Sequence, residues 1–199
     1  MKAGLPLWLK LVYTAFFIAW VPVILHAYGP TNFLWLCNVC NFLLVYGVWR
    51  ESRLIFSSQL LAVFLTDIVW AVDVLGWTLA GDFPLGFAAY MANEELPLAA
   101  RALSLYHLVM PVMLVFGVRR LGYDGRALGL QALITAIMLP ISLALSPQEW
   151  NINWVWGPGF VQTWMPAWAW VTLCTLGYPL VLYLPVHASI LAWRRLTKR

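Results

Sequence analysis

Apolar residues fall along this chain in six long runs, divided by short connections that hold most of its charged, glycine and proline residues. A helix rises about 1.5 Å per residue, so crossing a hydrocarbon core of roughly 30 Å takes about 20 mostly apolar residues. Six windows meet that demand: 6–26, 32–49, 54–78, 98–118, 127–146 and 167–192. The pattern predicts an all-α polytopic transmembrane bundle of about six spans, a single domain over residues 1–199. The first run follows Lys2 like a secretory signal, but Lys10 interrupts it and Leu25 is too large for the usual cleavage site, so it reads as a retained span.

One run departs from the others. Between Gly29 and Trp49 the sequence GPTNFLWLCNVCNFLLVYGVW places Asn32, Asn38 and Asn41 beside Cys37 and Cys40, polar groups that lipid does not solvate.

Composition agrees with a membrane environment. Of 199 residues, 63% are hydrophobic and 10% charged, against about 25% charged in soluble domains. The mean hydropathy is +0.80. The net charge of +4 is not gathered on one exposed face, which excludes a nucleic-acid partner and makes the charge a topology signal instead. Of the twelve Lys and Arg, ten (Lys2, Arg50, Arg53, Arg119, Arg120, Arg126, Arg194, Arg195, Lys198, Arg199) fall in alternate connections or at the ends. Cytoplasmic loops carry such an excess, so both termini are expected in the cytoplasm. Asp82, Glu94, Glu95 and Glu149 then fall outside, with Arg101 the one cation beside them.

Thirteen tryptophans sharpen the picture, because indoles favour the headgroup level. Six of them lie between Trp150 and Trp170, so that connection is expected to form a lid folded against the membrane or the bundle. Prolines inside the runs, at 22, 111, 140, 179 and 185, predict kinks, and Gly125 with Gly129 gives a GxxxG spacing suited to close helix packing.

Polar groups at membrane depth face a bundle interior or a watery cavity. Counted from the outer ends, Asn32, Cys37, Asn38, Asp73 and His107 lie within roughly 10–12 Å of the outer surface and Asp67 somewhat deeper, with Arg101 at the mouth of the fourth span. These residues, with Asn151, Asn153 and Trp154 of the lid, are the expected binding set. Asp67 and Asp73 are displaced by about 120° on their helix, so they do not form a dyad; one is expected to meet Arg101 or His107, the other an asparagine or the lid. Pro111 frees the carbonyl of residue 107, and a histidine at such a kink can carry protons. His187 reads as structural and His26 as interfacial.

Cys37-Asn-Val-Cys40 has the CxxC spacing of thiol oxidoreductases, though no second cysteine pair follows and Cys174 stands alone. Cys37, Cys40 and His107 lack a fourth ligand, so no metal site is expected, and no cofactor motif occurs.

Three stretches carry a resemblance: Gly29-Pro30-Thr31-Asn32-Phe33-Leu34-Trp35, Arg101 to His107 running on to Arg119 through Asp124, and Asn151-Ile-Asn153-Trp154-Val-Trp-Gly157. Together they resemble a family of small six-span bacterial inner-membrane proteins, which implies that location and supplies no activity. Leu36-Cys37 and His107 with Pro111 are similar to a pattern in YwaF-type proteins and the androgen-induced-gene-type lipid hydrolases. That similarity implies Cys37 as nucleophile and His107 as its base, for acyl transfer or lipid hydrolysis. The residues themselves favour a bundle that binds a membrane lipid, a partner membrane protein or a second copy through its outer half. Acyl transfer through Cys37 and His107 and thiol redox through Cys37 and Cys40 are the alternatives.

Overall fold

The computed structural model describes residues 4–196, an all-helical transmembrane bundle with no strand among those residues. Lys2, Lys198 and Arg199 of the topology argument lie outside the described residues. The helices are α1 (Leu7–Tyr28), α2 (Leu36–Arg50), α3 (Arg53–Ala80), α4 (Leu98–Ser104), α5 (Tyr106–Leu121), α6 (Ala127–Leu145), α7 (Ala167–Tyr178) and α8 (Leu184–Leu196). By length and composition, five stretches can cross a membrane: α1, α3, α4 with α5, α6, and α7 through α8.

The second window, 32–49, is the exception. Gly29 stops α1 with φ at 75°, a left-handed backbone that favours glycine, and Pro30–Leu34 then form a tight 3-10 turn. Only from Leu36 does an α-helix run, and its 15 residues reach about 22 Å, so with the turn before it this segment makes the return pass from the end of α1 to the level of Lys10 on a shorter helix than the window implies. The fourth window is one span, but its break is not at the proline: α4 ends at Ser104 and α5 starts at Tyr106, with Leu105 between them six residues before Pro111, while α5 continues through that proline. Likewise α1 and α6 run through Pro22 and Pro140. At Pro179 the last segment widens into a π-helical stretch, Pro179–Tyr183, which accommodates the missing donor without ending the helix.

α3 is the axis of the bundle and packs against α2, α5, α6 and α8. Its Phe56–Val63 stretch is buried all round, as a helix enclosed by others must be. Where α3 meets α5, Gly117 takes the ring of Phe56 so closely that a Cβ there would collide with it. Gly125 and Gly129 have open space where a Cβ would stand, so the GxxxG spacing does not mark a packing face within this chain. Ile18, Val109, Val112 and Leu79 lie on the outside, an apolar surface suited to lipid.

The two ends differ in kind. At one, Glu51 in the α2–α3 turn accepts from the Lys10 ammonium at 2.7 Å and from the Leu5 N–H at 3.1 Å. Asp124 in the α5–α6 turn pairs with Arg126 at 2.9 Å and Arg53 at 3.6 Å. Arg194 of α8 donates to the Tyr123 carbonyl at 3.2 Å, and the Tyr123 hydroxyl meets His187 Nδ1 at 2.6 Å. Thus the start of α1, both turns and the end of α8 meet at a charged end. The opposite end is closed by backbone. There the segment 147–166 is knotted by Asn151, which donates to the Gly157 carbonyl and accepts from the Trp156 N–H. Ile152, Asn153 and Val155 are buried within it, so this connection is a packed lid and not a free loop.

Candidate functional site

Beneath the lid lies a cavity of about 570 Å³, within the range of small-molecule sites. Its polar wall begins at α2. The 3-10 turn brings Asn32 back over the helix start, where its backbone and side-chain oxygens accept from Asn38 Nδ2 at 2.8 and 2.9 Å. Asn38 Oδ1 in turn accepts from the Tyr106 hydroxyl of α5 at 2.8 Å. Cys37, the neighbour of Asn38, is half-buried and lines the same space.

His107 follows Tyr106 on α5. Its Nδ1 lies 2.8 Å from the Ser104 carbonyl, which can only accept, so a proton is on Nδ1, and in the neutral ring Nε2 is then the acceptor. The ring stacks on Trp70 at 4.9 Å and on Tyr106 at 4.1 Å between centroids. The break between α4 and α5 makes this possible, because it leaves the Ser104 carbonyl free for the side chain.

Asp67 enters from α3, one turn before Trp70. It is 2% exposed, and its Oδ2 has no hydrogen-bond partner. Trp70 Nε1 donates to the Tyr90 hydroxyl at 3.2 Å. The remaining wall is aromatic: Trp20, Tyr28, Trp150, Trp154 and Tyr178 among others. Tyr178 also ties α7 to the lid through the Asn153 carbonyl at 2.8 Å, and Phe87 stacks on Trp154 at 5.0 Å.

Asn32, Cys37, Asn38, Asp67, His107, Asn153 and Trp154 all line this one space. Three expected members are elsewhere. Asp73 turns its carboxylate to the backbone N–H groups of Leu85, Gly86 and Ala88, at 2.6, 3.2 and 2.9 Å, and so folds the α3–α4 connection back on α3. Arg101 donates to the Met91 carbonyl at 3.2 Å. Asn151 is spent inside the lid. Neither aspartate meets Arg101 or His107: among the described residues the ion pairs are those of Glu51 and Asp124 at the charged end.

Cys37 Sγ has Asn38 Oδ1 at 3.9 Å as its polar neighbour. Cys37 and His107 share the cavity, but no hydrogen bond joins them among the described residues. Cys40 is buried in the core with a free thiol. Sequence reasoning missed Tyr90, Tyr106 and Tyr178, because aromatic residues in apolar runs, and Tyr90 in the connection before α4, read as packing or as interface anchors. Tyr106 stands beside His107 and was the one with a local signal.

Comparisons with protein-family models, with curated proteins and with solved structures give no match. The class of protein rests on the fold: an integral membrane helical bundle.

Proposed function

We propose that this protein is a bacterial inner-membrane protein that binds an amphipathic small molecule, a membrane lipid above all, in the cavity beneath its lid. The observation that carries this reading is the cavity's composition, aromatic walls around a few convergent polar groups, which is the make-up of ligand sites. The orientation is with the charged end in the cytoplasm, because the cations Lys10, Arg53, Arg126 and Arg194 gather there and basic loops stay inside. The lid and cavity then face the external side, where a ligand enters from the outer leaflet.

Native mass spectrometry of the protein released from its own membranes tests the reading. An amphiphile should remain bound to the wild-type chain. Thr66 lines the cavity and is not buried, so Thr66→Trp should fill the space and release that molecule. Equal retention by both proteins, or no retained amphiphile together with no lipid that raises thermal stability, would sink the proposal. Reporter fusions at Arg126 and Gly157 test orientation; a cytoplasmic signal at Gly157 would reverse it.

A further inference from the structure

A census of hydrogen-bonding groups along the cavity wall gives the chemistry of the ligand. Several donors are spent within the protein: Asn38 Nδ2 on Asn32, the Tyr106 hydroxyl on Asn38, Trp70 Nε1 on Tyr90, and His107 Nδ1 on the Ser104 carbonyl. Asn153 Nδ2 is likewise spent, on the Leu34 carbonyl and on Ser142 Oγ. Trp20 Nε1 is a donor left over, but its side chain is wholly buried. Beside the indole N–H groups of Trp35, Trp150 and Trp154, which line the same space, acceptor capacity is open. Asp67 Oδ2 is buried without a partner, Nε2 of the neutral His107 ring carries a lone pair, and the Tyr28 hydroxyl, also unpartnered, can accept as well as donate.

Charge points the same way. No Lys or Arg among the described residues lines the cavity, so the protein supplies no cation for Asp67. A carboxylate enclosed at low dielectric without a counter-charge is costly and is neutralised by a proton unless a cation reaches it, and a ligand that brings a cation supplies that charge. Faces of Trp and Tyr attract cations through the ring quadrupole, and Trp is the strongest. Trp70, one helical turn from Asp67, and Trp154 of the lid line the same space.

Resting on the reading that the cavity holds an amphiphile, we infer that its ligand presents a protonated primary amine, the ammonium donating to Asp67 with His107 Nε2 as a further acceptor in the same space. The alkyl or acyl portion lies on the aromatic wall. Two sources offer this chemistry, the ethanolamine headgroup of a phospholipid and a free lipophilic amine.

The test uses the full chain in phosphatidylcholine nanodiscs at neutral pH, with octylamine and octan-1-ol as calorimetric probes. The two differ in the ammonium, so the wild-type chain should bind the amine about tenfold or more tightly, the factor a charge-assisted hydrogen bond supplies. Asp67→Asn should erase that preference without weakening the alcohol, and Asp67→Glu should restore part of it. Ethanolamine-lipid nanodiscs separate the sources: loss of octylamine binding there points to the headgroup, retention to a free amine, and both support the inference. Equal affinity for amine and alcohol in the wild type overturns it, and this comparison stands even if a variant fails to fold. Failure of both probes and of every lipid tried is a different result, since it removes the cavity as a binding site and with it the proposed function.

Discussion

Asn153 caps a helix that begins 117 residues before it, its Oδ1 accepting the Leu36 N–H at 2.9 Å. The residue before α2, Trp35, offers no side-chain cap of its own, so the lid supplies from a distance what Ser or Asp commonly supplies locally. The same amide donates to the Leu34 carbonyl at 2.8 Å and to Ser142 Oγ at 2.9 Å, joining lid, α2 and α6 at one buried point. Asn153 also has φ at 51°, a left-handed conformation that asparagine tolerates better than alanine.

Asn153→Ala therefore strands several buried groups and places alanine in an unfavourable backbone. The expected loss is about 3 kcal/mol or more. Thermal unfolding in detergent checks it, and a loss under about 1 kcal/mol would mean that the lid does not hold α2.

The packing between α3 and α5 gives a paired expectation. Gly117→Ala drives a methyl into the Phe56 ring, and overpacking of this kind costs about 1–3 kcal/mol. Gly129→Ala meets open space inside α6 and should be neutral or gain up to about 1 kcal/mol from helix propensity. Chemical-denaturant unfolding of the two variants side by side decides it; a larger loss at Gly129 would restore the GxxxG face, through a contact made outside this chain.

Much of the fold was legible because membrane crossing is a demand on length and hydropathy, both local properties. The limits of α3 and α6 fall within about two residues of the apolar runs. Two features were not legible. α2 is shortened because Gly29 and Pro30 spend the preceding residues on a turn, and a hydropathy window counts those residues as apolar span. The α4–α5 break at Leu105 carries neither glycine nor proline, and it serves the His107 ring, which claims the Ser104 carbonyl. In the site, Asn32, Cys37, Asn38, Asp67 and His107 were placed together by depth, and Asn153 and Trp154 by their place in the lid. Asp73 shares that depth and Asn151 that lid, but both are consumed by backbone groups of loops, whose path no helical spacing reveals.

At the charged end, acid should loosen the turns. The bond from Arg126, then Arg53 nearby, hold the Asp124 carboxyl down from 3.8 to about 2. A carboxyl lowered in the folded state contributes its full stability above the unfolded value of 3.8 and loses it as pH falls towards about 2. The Lys10 bond lowers Glu51 in the same direction. Thermal stability should thus fall through that acid window, and Asp124→Asn should flatten the fall while lowering stability at neutral pH. An unchanged pH profile in the variant would show that the Asp124 cluster adds nothing.

The most informative substitution is at Asp67. Sequence reasoning predicts that losing this carboxylate destabilises the fold, on the premise that Asp67, Asp73, Arg101 and His107 satisfy one another. The structure removes the premise, since Oδ2 has no partner and neither Arg101 nor His107 pairs with Asp67 among the described residues. An unpaired buried carboxylate is a cost carried by the folded state, and sites kept for a ligand commonly carry such costs. Asp67→Asn, and more so Asp67→Leu, should therefore raise the thermal midpoint of the ligand-free protein, by about 1–3 kcal/mol in free energy. By contrast, Tyr106→Phe breaks a satisfied hydrogen bond to Asn38 and should lower it by about 1 kcal/mol. If Asp67→Leu melts below the wild type in protein stripped of bound amphiphile, the carboxylate has a structural partner and is not held open for a ligand.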